Sequence, residues 1–305
     1  MKNILITGHN GFIGSNLIKK IKKNNNIFVL KEKKNKSDLK EIKLKRSFSN
    51  INKFLNIFKK IEYIFLIGSN TSLNFAENNP KKSYNINVLP VIRLLNFLKL
   101  YNLKPRIIYL STTSIYKSSS KTINIKSKIH LSSVYDLNKF LVEKNLNYFS
   151  SNYDLDICIL QLSNVYGPTN SIFKEDRGTI NKIISNAKKN KIIKIFGSGN
   201  YLRDYIFIDD VVDALLKCLK KNKIYSQKKF ILCSGTSFYL KDSFKLIKKL
   251  IEKKYNIKIK LRKYGLPKKF YKLNTRSFKS NSKNFSKLTG WKSKYSLIQG
   301  LQKMV

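Results

Sequence analysis

Tyr135 and Lys139 lie four residues apart in the stretch SSVYDLNKFLVEK, residues 132–144. On a helix, positions i and i+4 share one face. A phenol with a reference pKa of ~10 is a poor base at neutral pH. An ammonium beside it stabilises the phenolate and lowers that value. Such a pair can take a proton from an alcohol. Spacing alone does not select it, because Tyr225/Lys229 and Tyr264/Lys268 repeat it. Tyr225 stands just before the strand-like run FILCS, and Tyr264 is followed by Pro267, which disfavours a helix. Context therefore favours Tyr135.

The elements that would position the pair alternate in type. NILIT (3–7), NIFVL (26–30), EYIFLIGS (62–69), PRIIYLST (105–112) and DICILQLSNVYGP (156–168) read as five strands. FIGSNLIKKIKK, YNINVLPVIRLLNFLKL (84–100) and the Tyr135 segment read as helices between them. Apolar strands alternating with amphipathic helices imply an α/β fold, a Rossmann-type doubly wound parallel sheet covered on both faces. Ligands bind such sheets at the carboxyl ends of the strands. After Pro168 the alternation becomes irregular. We expect a Rossmann domain over 1–167, to which segments near 201–235 return, and a smaller α/β substrate-binding part over 168–305.

The turn after the first strand is TGHNGFIG, with Gly8, Gly11 and Gly14 spaced three apart. Gly8 suits a tight turn, Gly11 lets a pyrophosphate approach the backbone, and Gly14 lets helix and strand pack closely. Phe12 and Ile13 open the helix whose free N–H groups face the phosphates. At the end of the second strand Lys31 stands where an acid would grip a ribose 2′-hydroxyl, with Glu32 next to it.

The chain has 305 residues, 42% hydrophobic, with a formal net charge of +45. That charge would suit nucleic acid or an anionic membrane. The lysines are scattered over every region, which reads as a solvated surface. Cys158, Cys218 and Cys233 each sit inside an apolar run, as buried free thiols in a reducing compartment do. No apolar run approaches the ~20 residues of a membrane span. A cytoplasmic location, without metal or membrane, is expected.

The ordered motifs resemble the extended short-chain dehydrogenase/reductase family, in particular its sugar-nucleotide epimerases and dehydratases. They are the glycine loop, NNPKKSYNINV (78–88), YLSTTSIY (109–116), YDLNK (135–139), LSNVYGP (162–168), GSGNYLRDYIFIDDVVDAL (197–215) and LTGWKSKYSLIQGL (288–301). The resemblance implies NAD, with NADP as the alternative that Lys31 keeps alive. It implies cofactor contacts from Gly8, Gly11, Phe12, Ile13, Gly14, Lys31, Ser69, Asn87, Tyr135 and Lys139. Tyr135 would take a sugar hydroxyl proton as hydride leaves the same carbon, aided by Thr112. Ser114, Asn164, Arg203 and Arg276 would lie on the side of a nucleotide-diphosphate sugar. Lys279 replaces the aspartate that often follows the second arginine. Ser111 is expected to pack, and His130 to serve structure. A homodimer through 84–100 and the Tyr135 helix is also implied.

Departures narrow the reaction. The 4,6-dehydratases carry Asp-Glu after the catalytic threonine, and the decarboxylases a glutamate at the second position. Here these are Thr113 and Ser114. The motif set looks most like UDP-glucose 4-epimerases. A 4-epimerase is expected. An NADPH-dependent 4-keto-sugar reductase is the alternative, and a non-catalytic nucleotide- or RNA-binding Rossmann protein is the alternative of another class. Leu66 and Gln161 replace a histidine and an arginine usual in the family.

Overall fold

The computed structural model describes residues 1–30, 39–168, 179–220, 228–266 and 275–305. Lys31 and Tyr225 lie outside the described residues.

The strands in chain order are β1 (Lys2–Thr7), β2 (Asn25–Leu30), β3 (Lys40–Ile42), β4 (Tyr63–Leu66), β5 (Arg106–Thr112), β6 (Thr122–Ile123) and β7 (Ile157–Leu162). Then come β8 (Asn164–Tyr166), β9 (Ile192–Phe196), β10 (Leu202–Phe207), β11 (Lys228–Leu232), β12 (Ser237–Tyr239), β13 (Lys260–Tyr264) and β14 (Lys279–Ser280). The described helices begin with α1 (Phe12–Ile21), α2 (Leu55–Phe58), α3 (Leu73–Asn78), α4 (Pro80–Asn87) and α5 (Leu89–Leu100). They continue with α6 (Val134–Tyr153), α7 (Thr179–Asn190), α8 (Ile208–Lys217) and α9 (Leu240–Tyr255), and the short helices Lys283–Thr289 and Leu297–Gln302 follow.

Seven strands pair in the order β3-β2-β1-β4-β5-β7-β11, all parallel. This is the doubly wound order, and its direction reverses between β1 and β4. Side chains alternate along each strand. Ile4 and Ile6 of β1 therefore join one core with Phe65, Leu110 and Leu160, whereas Leu5 joins the other with Ile64, Tyr109 and Ile159. Helices α1 and α8 cover the first face, and α5 and α6 the second. The three cysteines are buried free thiols. Among the described residues, no helix is long and apolar enough to cross a membrane.

Three readings of the sequence need correction. The run 156–168 is two strands, not one. β7 stays in the large sheet, and β8 leaves it at Ser163 to pair with β10. The helix read over 84–100 is two helices, α4 and α5, parted at Val88. Pro90 has no N–H to give and its ring would meet the carbonyl one turn back, so a continuous helix is disfavoured there. The short edge strand β3 escaped the sequence reading, and with β11, at the strand-like run FILCS, the sheet has seven strands. Of the region 201–235, β11 returns to the large sheet, whereas β10 joins β8 and β12 in a sheet of three.

Candidate active site

The carboxyl ends of β1, β4 and β5 meet where the strand order reverses. Gly8 follows β1 with φ +69°, a backbone conformation that favours glycine. A Cβ on Gly8 would lie 2.5 Å from the Cα of Gly68, just past β4. A Cβ on Gly14 would lie 2.2 Å from the Gly8 carbonyl oxygen. Gly11 N–H donates to that same oxygen at 3.0 Å. The loop is thus drawn tight against both α1 and the neighbouring strand end, with Phe12 and Ile13 in the first turn of α1. Gly68 was not singled out by the sequence reading; its signal was a glycine closing the apolar run of the third strand.

Across the crevice, Asn87 on α4 is 8% exposed and fully used. Its Oδ1 accepts from Ser69 Oγ at 3.1 Å and Asn70 N–H at 2.8 Å, and its Nδ2 donates to the Asn70 carbonyl and Ser83 Oγ. Asn87 therefore holds the loop after β4 in shape. A small cavity is lined by Thr7, Gly68, Ser69, Asn87, Tyr109 and Lys139, among others. A dinucleotide fits this frame: glycines leave the loop bare of side chains, a helix N-terminus faces it, and polar groups line the floor.

Thr112 ends β5, and Tyr135 and Lys139 lie in the first turns of α6. Ser133 caps that helix by accepting the Asp136 N–H at 3.0 Å, which fixes where the helix starts. Lys139 is 5% exposed and donates from Nζ to the Leu110 carbonyl at 2.8 Å. Its Nζ stands 5.9 Å from the Tyr135 ring centre. The Thr112 hydroxyl acts on the Tyr135 phenol and favours its ionised form. The structure so brings Thr112, Tyr135 and Lys139 to one place.

The electrostatics differ from the sequence argument, which expects the phenol of Tyr135 to be lowered by Lys139. Burial pushes it above its ordinary value and Asp136 adds to the rise, while Arg276 and the Thr112 hydroxyl pull it down. Burial also draws Lys139 down to about 7, with Glu143 opposing the fall and Arg46 assisting it. Low polarity penalises both charged forms at once.

Ser114 follows Thr112 closely. Thr112 Oγ1 and Ser114 Oγ are 3.0 Å apart, and Ser114 Oγ donates to Asp136 Oδ1. Arg276 Nη1 donates to Asp136 Oδ2 at 2.7 Å and to the Ser114 carbonyl at 3.0 Å. Arg203 donates to the Leu202 and Arg276 carbonyls, and so stands beside Arg276. Asn164 is exposed on β8 and donates to the Asp204 carbonyl at 3.0 Å. Thr113 points inward, donating to the Leu162 carbonyl at 3.2 Å. Ser111 is buried and donates to Glu143, which also accepts from Gln161 at 2.8 Å. His130 is exposed, and its backbone N–H pairs with Ile115.

Two buried carboxylates escaped the sequence reading. Asp136 is 0% exposed and Glu143 1%. Both were visible as positions i+1 and i+8 from Tyr135 on one helix. What they touch depends on residues up to 140 positions away.

Comparison with known proteins agrees with this geometry. The NAD dependent epimerase/dehydratase family matches residues 4–233. A putative UDP-glucose 4-epimerase of Methanocaldococcus jannaschii is 29% identical over 230 residues, 72% of this chain and 75% of that protein. A dTDP-D-glucose 4,6-dehydratase of Dictyostelium discoideum is 31% identical over 252 residues, 73% of this chain and 57% of that protein. The crystal structure of a UDP-glucose 4-epimerase from Thermotoga maritima with UDP-glucose superposes with a TM-score of 0.83 at 25% identity, covering 99% of this chain and 96% of that one. With its glycine loop at the β1/β4 switch point and its matched span of 4–233, this chain belongs to the NAD dependent epimerase/dehydratase family.

Proposed function

We propose that the protein is a sugar-nucleotide 4-epimerase that keeps NAD bound. The observation that carries this reading is the meeting of Thr112, Tyr135 and Lys139 beside a glycine-lined crevice, with no carboxylate in the turn that follows Thr112. Gly8, Gly11, Phe12, Ile13, Gly14, Ser69, Asn87, Tyr135 and Lys139 hold the dinucleotide, and the fold through β7 together with β11 is its domain. Ser114, Asn164 and Arg203 face the substrate, and the remaining chain forms most of that side. Exposed Leu100 on α5 and Leu137 and Tyr148 on α6 supply a face for a homodimer.

Tyr135 takes the proton of the sugar 4-hydroxyl and later returns it to the keto oxygen. NAD, when bound, would supply the acceptor and donor of the C4 hydride and a positive charge for the phenolate. Lys139 orients the ribose and, when protonated, stabilises the phenolate. Thr112 keeps the phenol aimed. The 4,6-elimination asks for an acid and a base at 113 and 114. Thr113 is spent on the Leu162 carbonyl, and Ser114 is tied to Asp136.

The test is to purify the protein, denature it and identify the released nucleotide by mass spectrometry. Tightly held NAD, with interconversion of UDP-glucose and UDP-galactose or another 4-epimeric pair, supports the reading. An empty protein that binds NADPH in preference to NADH and reduces 4-keto sugars replaces it with the reductase. An empty protein that binds neither, and binds RNA with steep log-linear salt dependence, replaces it with the non-catalytic reading.

A further inference from the structure

Helices α4 and α6 pack against each other, and buried polar side chains join them. Asn87 Nδ2 donates to Ser83 Oγ at 3.3 Å, one turn back on α4. From α6, Asn138 Nδ2 donates to the same oxygen at 2.9 Å. Ser83 is 0% exposed and Asn138 3%. Asn138 lies one turn on from Tyr135 and directly before Lys139. At the other end, Asn87 Oδ1 holds Ser69 Oγ and the Asn70 N–H, just past β4. An unbroken chain of hydrogen bonds therefore runs from the loop after β4, through Asn87, Ser83 and Asn138, to the helix that carries Tyr135 and Lys139. Ser69, Asn87 and Lys139 line the crevice, whereas Ser83 and Asn138 stand behind it.

We propose that Ser83 and Asn138 are positioning residues that tie the cofactor-lining loop after β4 to the catalytic helix, so that holding NAD and aiming Tyr135 and Lys139 are coupled. The proposal rests on the reading of this crevice as the NAD site and of Tyr135 as the base. Ser83 Oγ is the junction, because it accepts from both amides. Apolar packing between two helices tolerates small slides. A hydrogen bond fixes both distance and direction. Each donor in the chain is buried, so a break leaves it unmet in a place where water cannot repay the loss. The register between α4 and α6 is thereby fixed close to the reacting pair, where a misplacement of about 1 Å is enough to cost much of the rate.

Such a chain behaves differently from a set of independent struts. Cutting it at one bond already releases the loop from the helix, so a second cut adds little. Independent struts contribute separately, and their losses multiply in rate. A merely structural Asn138 would lower the melting temperature and leave the hold on NAD as it was. Members of one hydrogen-bond network are apportioned by double-mutant cycles.

The experiment is a mutant cycle on the full chain loaded with NAD, read as the rate of NAD release into NAD-free buffer and as kcat and KM for UDP-glucose. Ser83→Ala and Asn138→Ala are each expected to speed NAD release about five-fold or more. Each should lower kcat by about the same factor, with KM for the sugar within about two-fold of wild type. The double variant Ser83→Ala/Asn138→Ala should match the stronger single variant within about two-fold. In an Asn87→Ala background, Asn138→Ala should change NAD release by less than about two-fold. Asn138→Leu, which keeps the branched shape without a donor, serves if Asn138→Ala does not fold, and the same result is expected of it. Unchanged NAD release in the Asn138 variant overturns the proposal. So does a double variant whose effect is the product of the two single effects, which would make Ser83 and Asn138 separate struts. NAD release is read without any sugar. Failure to turn over any nucleotide sugar would therefore sink the epimerase reading and leave the cycle on NAD release as the test of this inference.

Discussion

The Lys139 ammonium donates to the carbonyl of Leu110, 2.8 Å away and two residues before Thr112 on the same strand. This one bond pins α6 to the end of β5 and sets the distance between Thr112 and Tyr135. A residue expected for its charge is thus also a strut. The two roles conflict electrostatically, because the burial that makes the strut firm also makes the charge costly.

Replacing Tyr135 by Phe removes the proton acceptor and little else. We expect turnover to fall by about 10²–10⁴-fold, the usual worth of a general base. NAD retention and the thermal midpoint should stay close to wild type. Steady-state kinetics beside a melting curve measure both.

The buried lysine gives a pH dependence with a definite sign. Lys139 has its folded value lowered from 10.5 to about 7. Below that value both folded and unfolded chains hold the proton, and the folded state bears the whole cost of a buried charge. From about 7 up to 10.5 the unfolded chain holds more protons, so stability attributable to this residue rises with pH. Lys139→Met should therefore gain most over wild type near neutrality, and the gap should shrink towards pH 10. Denaturant melts of both proteins across that range give the trend. A gap that widens with pH would contradict the assigned direction.

Gly14→Ala puts a methyl 2.2 Å from the Gly8 carbonyl oxygen. The contact is with backbone, so the loop itself must move. Overpacking of this kind costs about 1–3 kcal/mol. The expected result is loss of bound nucleotide after purification together with a lower melting temperature. Retention of NAD at the wild-type level would show that the loop is looser than its geometry implies.

Asn87→Ala strips partners from the Asn70 N–H, the Asn70 carbonyl and Ser69 Oγ. Leaving buried polar groups unmet costs about 1–3 kcal/mol. Nucleotide affinity should fall more than stability, because the loop so released lines the cofactor crevice. Calorimetric titration with NAD beside a chemical melt separates the two.

The residue pattern by itself determined the elements with strong local signals. The strands β1, β4 and β5 are short apolar runs, and their identity follows from composition and length. The glycine spacing of Gly8, Gly11 and Gly14 marked the crevice, and Tyr135 with Lys139 marked one helix face, because both patterns are set by backbone periodicity. Pro90 carries a local signal for the break at Val88, which the reading of 84–100 as one helix did not use. Tertiary structure alone decided the rest. Whether β8 continues β7 or leaves it depends on β10, some forty residues on. Asp136 reads locally as a solvent-facing residue in a helical first turn, yet it is 0% exposed because Arg276 comes down on it from 140 residues away. The rise of the Tyr135 phenol comes chiefly from its own burial, with Asp136 adding to it and Arg276 opposing it. Charges interact through space and not along the chain, so only the folded arrangement could assign it.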